Sequence, residues 1–119
     1  MRCDFDRDAA YGTVRRLLAS GLRFTAIVAV TDMCASGALV ALRHEGVRVP
    51  EDVSVAGHDD IPLATVVHPA LTTVHIPHEE LGRTAVRLAL NRERHAMSQH
   101  TVLGTHLVIR ESTGPAKTP

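Results

Sequence analysis

The chain has 119 residues, 45% of them hydrophobic and 22% charged, an ordinary composition for one soluble globular domain and too short a length for two. The 13 basic residues balance the 13 acidic ones and are scattered, which argues against a nucleic-acid-binding surface built on a basic patch. Aromatic residues make up only 3% and tryptophan is absent, so any core must come from Val, Leu, Ile and Ala.

Asp4-Phe5-Asp6 precedes a helical pattern. Ala9, Ala10, Val14, Leu17 and Leu18 share one face, and Arg15 and Arg16 point away. Asp6 reads as the N-cap and Gly21 as the stop one residue past the end. Residues 25–30, Thr-Ala-Ile-Val-Ala-Val, form a short β-branched apolar run, predicted as a strand buried on both faces of a parallel sheet. Thr31-Asp32 follows, then residues 33–45 at helical spacing with Ala35, Ala38, Leu39 and Leu42 as the stripe. Asp32 suits the cap and the helix dipole, and Gly46 the stop. Residues 49–52 make a turn, and 53–57, Val-Ser-Val-Ala-Gly, the next strand. Helix, strand, helix, strand with short connections is βαβ grammar, with a right-handed crossover.

After Asp60, residues 61–64 read as a single helical turn, broken at His68-Pro69-Ala70. Residues 71–76 are β-prone. Pro77 fits the first turn of a helix running to about Arg94, with Leu81, Ala85, Leu88 and Ala89 on one face. Strand character returns over 101–110, interrupted by Gly104. Residues 112–119 read as a disordered tail, which leaves 1–111 as one α/β unit.

Several chemistries find no residues. Cys3 and Cys34 form neither a CxxC pair nor a zinc spacing, and read as two reduced thiols of a cytoplasmic protein. No apolar run approaches the ~18 residues that span a membrane, and no apolar segment of a secretory signal follows Met1. Of the eight histidines, His75 and His78 are three apart, but Pro77 intervenes, so no metal is expected. No cofactor motif and no nucleophile motif is present, so the chain does not read as an enzyme.

What remains is the acidic loop Gly57-His58-Asp59-Asp60. In open α/β sheets, ligands bind beyond the carboxyl ends of the strands. Thr31 and Asp59 would share that rim if the two strands are neighbours. A carboxylate accepts hydrogen bonds from adjacent hydroxyls, so one Asp can grip a sugar diol. An equally good explanation is that the acids cap the turn at 61–64; Asp60 is then the cap and Asp59 the ligand contact.

Residues 25–39, Thr-Ala-Ile-Val-Ala-Val-Thr-Asp-Met-Cys-Ala-Ser-Gly-Ala-Leu, and 47–64, from Val-Arg-Val-Pro-Glu-Asp through Gly-His-Asp-Asp-Ile-Pro-Leu-Ala, resemble the C-terminal half of the LacI/GalR family of bacterial transcription regulators. The likeness continues through Pro-Ala-Leu-Thr-Thr-Val at 69–74, Glu-Glu-Leu-Gly at 79–82 and Leu-Val-Ile-Arg-Glu-Ser-Thr-Gly at 107–114, in order and without large gaps. It implies an incomplete periplasmic-binding-protein-like (type I) fold, a parallel-sheet βαβ sandwich. It also implies a sensor that binds a small-molecule effector, a sugar or nucleobase-like compound, between two subdomains. A homodimer and an attached DNA-binding head outside this chain are implied too, and no cofactor.

Residue by residue, Asp59 matches the acid that holds effector hydroxyls. Thr31 stands where the family usually has Asn, and Phe5 matches an aromatic that stacks on the sugar ring, or else anchors the first helix. His78 occupies a variable position that sometimes faces the effector, and His58 replaces the usual aromatic. With the first subdomain missing, weak or no effector affinity is expected of the chain alone, and the helix from Glu79 is expected to dock on the remaining sheet or a second copy. Family dimer contacts lie partly on the helix at 33–45 and the segment after Asp60. Cys34, Gly37, Ala38 and Ala41 are small enough for close helix approach there, although tight packing on the sheet explains them equally well. A fragment of a periplasmic-type sugar-binding protein, sharing the fold, is the alternative.

Overall fold

A computed structural model describes residues 5–91 and 100–117. Helix α1 covers Arg7–Ala19, and the Asp6 side chain caps it by accepting from Ala9 N at 2.8 Å. Its C-cap is Ser20, so Gly21 stands where the sequence places the stop. Strand β1, Ala26–Val28, pairs in parallel with β2, Ser54–Ala56, Ile27 standing opposite Val55. Between them runs α2, Asp32–His44. The expected helix-strand-helix-strand order is therefore present.

Helix α2 is the centre of the core. Ala35, Ala38, Leu39, Ala41 and Leu42 are buried with Val14, Val53, Val55, Ala64 and Leu71. The small residues of α2 let α1 lie against it. At Gly37 a Cβ would collide with the Arg7 carbonyl, so the helices meet backbone to backbone. At Gly37 the small residue serves packing on α1 within the chain, a neighbour that the sequence reading, which set dimer contact against packing on the sheet, did not name.

The sheet continues past β2 through a parallel bridge between Ala56 and Thr72, with Gly57 N donating to Thr72 O at 2.9 Å. Strand β3, Thr73–His75, then pairs antiparallel with β4, His106–Val108. A parallel α/β sheet thus carries an antiparallel edge, a common arrangement in α/β domains. The short helix α3, Leu63–Val66, lies between β2 and β3, and α4, His78–Leu90, follows β3. No helix among the described residues is long and apolar enough to cross a membrane.

Four expectations need correction. Strand β1 is not buried on both faces: Val28 is 82% exposed and Val30 58%. Among the described residues β1 pairs with β2 alone, so its outer edge has no neighbour to cover it. The cap of α2 is Thr31, not Asp32; the Thr31 hydroxyl accepts from Cys34 N at 3.2 Å. Of the two dockings expected of α4, on the sheet or on a second copy, the first does not occur, for none of its residues is buried and Leu81, Val86 and Leu90 are all exposed. Its expected last residues, 92–94, lie outside the described residues. Finally, Ser112 does not belong to a disordered tail. It is wholly buried, its hydroxyl donates to Val55 O at 2.6 Å, and it accepts from Thr72 N at 2.8 Å. Cys34 is a buried free thiol, and Cys3 lies outside the described residues.

Candidate functional site

The acidic loop sits at the carboxyl end of β2, beside the carboxyl end of β1. Asp32 joins the two ends. Its backbone N–H donates to His58 O at 2.9 Å. Its side chain is wholly buried, accepting from Ile61 N at 2.9 Å and from the Thr73 hydroxyl at 2.5 Å. A carboxylate in the interior is tolerable only with such donors around it. Gly57 makes room: a Cβ there would strike the Asp32 carboxylate and Leu71.

Asp59 and Asp60 both take positive φ, 113° and 57°. Non-glycine residues avoid this region for steric reasons, and such backbones persist where surrounding contacts over-determine them. Asp59 N donates to Val74 O at 3.0 Å. The Asp59 carboxylate takes the His58 ring N–H on Oδ1 at 3.1 Å and is 30% exposed. His78 reaches the Asp59 carbonyl with Nε2 at 3.0 Å. The loop therefore brings His58, Asp59 and His78 together, as their candidacy requires.

Asp60 behaves differently. It caps nothing: the residue before α3 is Pro62, and that end has no side-chain cap. Its Oδ1 accepts from Arg110 Nη2 at 2.7 Å and its Oδ2 from His75 Nδ1 at 2.9 Å. Burial pushes its carboxyl up, but the hydrogen bonds from Arg110 and His75 outweigh this and hold it below the usual carboxylate range. The reason it is not a cap is therefore competition: a cation and an imidazole bind it more strongly than a turn N–H would.

The remaining candidates occupy the rim less directly. The Thr31 hydroxyl already serves as the α2 cap. Phe5 is 76% exposed, which is not how an anchor of α1 would sit. The Asp6 carbonyl lies 3.7 Å from Cys34 Sγ, so Phe5 stands at the same end of α2 as Thr31. Asp32, read from sequence as a cap, His75, weighed there only as a metal ligand, and Arg110 join the loop unexpectedly. For Asp32 a signal existed, an acid directly between strand and helix, but it reads first as a cap. For His75 and Arg110 no local signal exists, because their partner lies 15 and 50 residues away.

A groove of roughly 650 Å³ adjoins the loop through His75 and His78 and continues over Pro77 and Glu79 to Arg83 and Arg87. Its size suits a small molecule. Its polar lining offers donors and acceptors of both charges. Among the described residues no three His, Cys, Asp or Glu side chains converge as metal ligands would.

Comparison with known proteins gives consistent likenesses. The family model of the periplasmic binding protein-like domain matches residues 3–113. The HTH-type transcriptional repressor PurR of Salmonella arizonae is 39% identical over 111 residues, which cover 92% of this chain and 33% of PurR. The lac repressor dimer bound to operator and the anti-inducer ONPF superposes with a TM-score of 0.87 at 31% identity, over 93% of this chain and 39% of that one. The transcriptional regulator CelR, in complex with cellobiose, gives 0.82 at 38% identity, over 92% and 34% respectively. The chain spans about a third of the length of the curated PurR relative, 33%.

Proposed function

This chain belongs to the periplasmic binding protein-like domain family, as the C-terminal effector-binding part of a LacI-type regulator, and from that premise we propose that it senses a small polyhydroxylated molecule, a sugar, for control of DNA binding by a head outside these residues. The observation that carries the reading is the division of labour in the acidic loop. Asp60 is closed off by Arg110 and His75, whereas Asp59 presents a partly exposed carboxylate at the strand ends, with Oδ2 engaged by no donor among the described residues. An acceptor placed there suits a pair of sugar hydroxyls. His58 and His78 flank it, and Thr31 and Phe5 lie at the N-terminal end of α2.

The protein works as a cytoplasmic homodimer in this reading, a sensor without catalysis. The lac repressor neighbour, a dimer on its operator, supports this. Between α2 and α3 a groove sets Val40, Val66 and Val67 among Arg7, Ser36, Arg43 and His68, and there a second copy would cover Val66, which is 75% exposed.

The test is calorimetric titration of the protein carrying this sequence with cellobiose, lactose and ribose, the sugars held by three of its structural neighbours, alongside Asp59→Asn. Saturable binding that weakens at least about tenfold in Asp59→Asn is expected, since a hydrogen bond to a charged group contributes roughly 1.5–3 kcal/mol. Equal affinity of the two proteins would sink the assignment of Asp59. The DNA upstream of Met1 separates the classes: an in-frame helix-turn-helix fits the regulator, and a signal sequence fits an exported binding protein.

A further inference from the structure

We infer that Arg110 and His75 are positioning residues for effector recognition: by clamping the Asp60 carboxylate they hold the adjacent Asp59 in the backbone conformation that presents its side chain at the rim. The inference rests on the reading of Asp59 as the effector contact.

Two successive aspartates with positive φ do not hold themselves there. Hydrogen bonds to the main chain fix the loop around Asp60, from Asp32 N to His58 O, from Asp59 N to Val74 O, from His78 Nε2 to Asp59 O and from Ile61 N to the Asp32 carboxylate. At Asp60 the anchor is the side chain, and both of its oxygens are taken. The donors are themselves fixed. Arg110 Nη1 donates to Leu71 O at 2.9 Å, and Arg110 N donates to the Thr72 hydroxyl at 2.9 Å. The His75 ring lies against the His106 ring, centroids 4.9 Å apart. Asp60 thus enters a pocket whose two donors are already in place. A guanidinium can bind Leu71 O and Asp60 Oδ1 at once through its rigid fork; an ammonium has no such fork.

The contrast with Asp59 completes the argument. Its one side-chain partner, His58, is 45% exposed, whereas Asp60, only 14% exposed, is held by two side chains, Arg110 at 19% and His75 at 39%. One acid of the pair is immobilised so that the other can be presented. That arrangement shortens the reorganisation needed when a ligand arrives.

The test has two arms on Arg110→Lys and His75→Phe, with His75→Gln as the variant that keeps a donor. The first needs no ligand. Amide hydrogen exchange of the chain is expected to rise at least tenfold at Asp59 and Ile61 in Arg110→Lys and His75→Phe, less in His75→Gln, with Leu42 and Val55 unchanged. Unchanged exchange at Asp59, or equal acceleration in the core, overturns the inference. The second arm measures, in the longer protein that carries this sequence, affinity for whichever of cellobiose, lactose and ribose binds. Arg110→Lys is expected to weaken it at least tenfold, but less than twofold when Asp59→Asn is already present. Equal losses in both backgrounds mean that Arg110 acts independently of Asp59 and overturn the inference. Failure of all three sugars to bind counts against the sugar reading alone, and the exchange arm still decides on the clamp.

Discussion

Asp32 shows how much one side chain can carry. It is wholly buried and satisfies Ile61 N and the Thr73 hydroxyl together. Removing it strands both donors, at about 1–3 kcal/mol each. Asp32→Ala should therefore lower stability in urea unfolding by several times what Thr31→Ala costs, which as a lost cap is about 1 kcal/mol. Similar midpoints for the two variants would contradict this account. Asp60 gives a pH prediction. Its folded carboxyl titrates below the unfolded value of about 3.9, so its contribution is fully present above that value and is lost as pH falls through the folded pKa. The stability gap between wild type and Asp60→Asn should shrink as pH falls below about 4. A gap that widens on acidification would refute it. Both roles were hidden in the sequence for one reason: Asp32 and Asp60 look like caps, and their actual partners lie 15 to 50 residues away.

Helices α2 and α4 are equally long, 13 residues each, and both were legible from apolar spacing. Their starts and the end of α2 fall within a residue of where Asp32, Pro77 and Gly46 suggest. What spacing did not reveal is their fate. Helix α2 buries nine residues and α4 none. Leu42→Ala should cost about 2–5 kcal/mol, whereas Leu81→Ala on the uncovered helix should stay within about 0.5 kcal/mol. Comparable losses in thermal unfolding would show that α4 has a partner in the free chain. Ser112 reverses a compositional expectation. Ser, Thr, Gly and Pro in sequence suggest disorder, yet the Ser112 hydroxyl is shared between Val55 O and Thr72 N inside the sheet. Ser112→Ala should cost about 1–3 kcal/mol by leaving buried groups unpaired, and an unchanged denaturation midpoint would place Ser112 outside the sheet.

The whole molecule is elongated, 58 × 27 × 26 Å, with a radius of gyration of 17.9 Å. A compact chain of this length would have about 13.5 Å. The excess goes with α4, which has no buried residue; the edge strand β1 also leaves Val28 exposed. Exposed apolar faces of this kind favour association. Sedimentation equilibrium across rising concentration is expected to give a mass above the 12.8 kDa of one chain. A constant 12.8 kDa with α4 still helical would show that these faces tolerate water.

By itself the sequence determined the element order, the caps at Asp6 and Gly21, the α/β class, and the acidic loop as the place to look. These depend on spacing and on chemistry within a turn or two, which a linear string records. Only the tertiary structure decided that Asp60 is held by Arg110 and His75 instead of capping a turn, that Ser112 lies inside the sheet, and which apolar faces stay uncovered. Those outcomes depend on hydrogen bonds between residues far apart in the chain and on whether a surface meets another surface. Periodicity can show that a face is apolar; it cannot show what, if anything, lies against it.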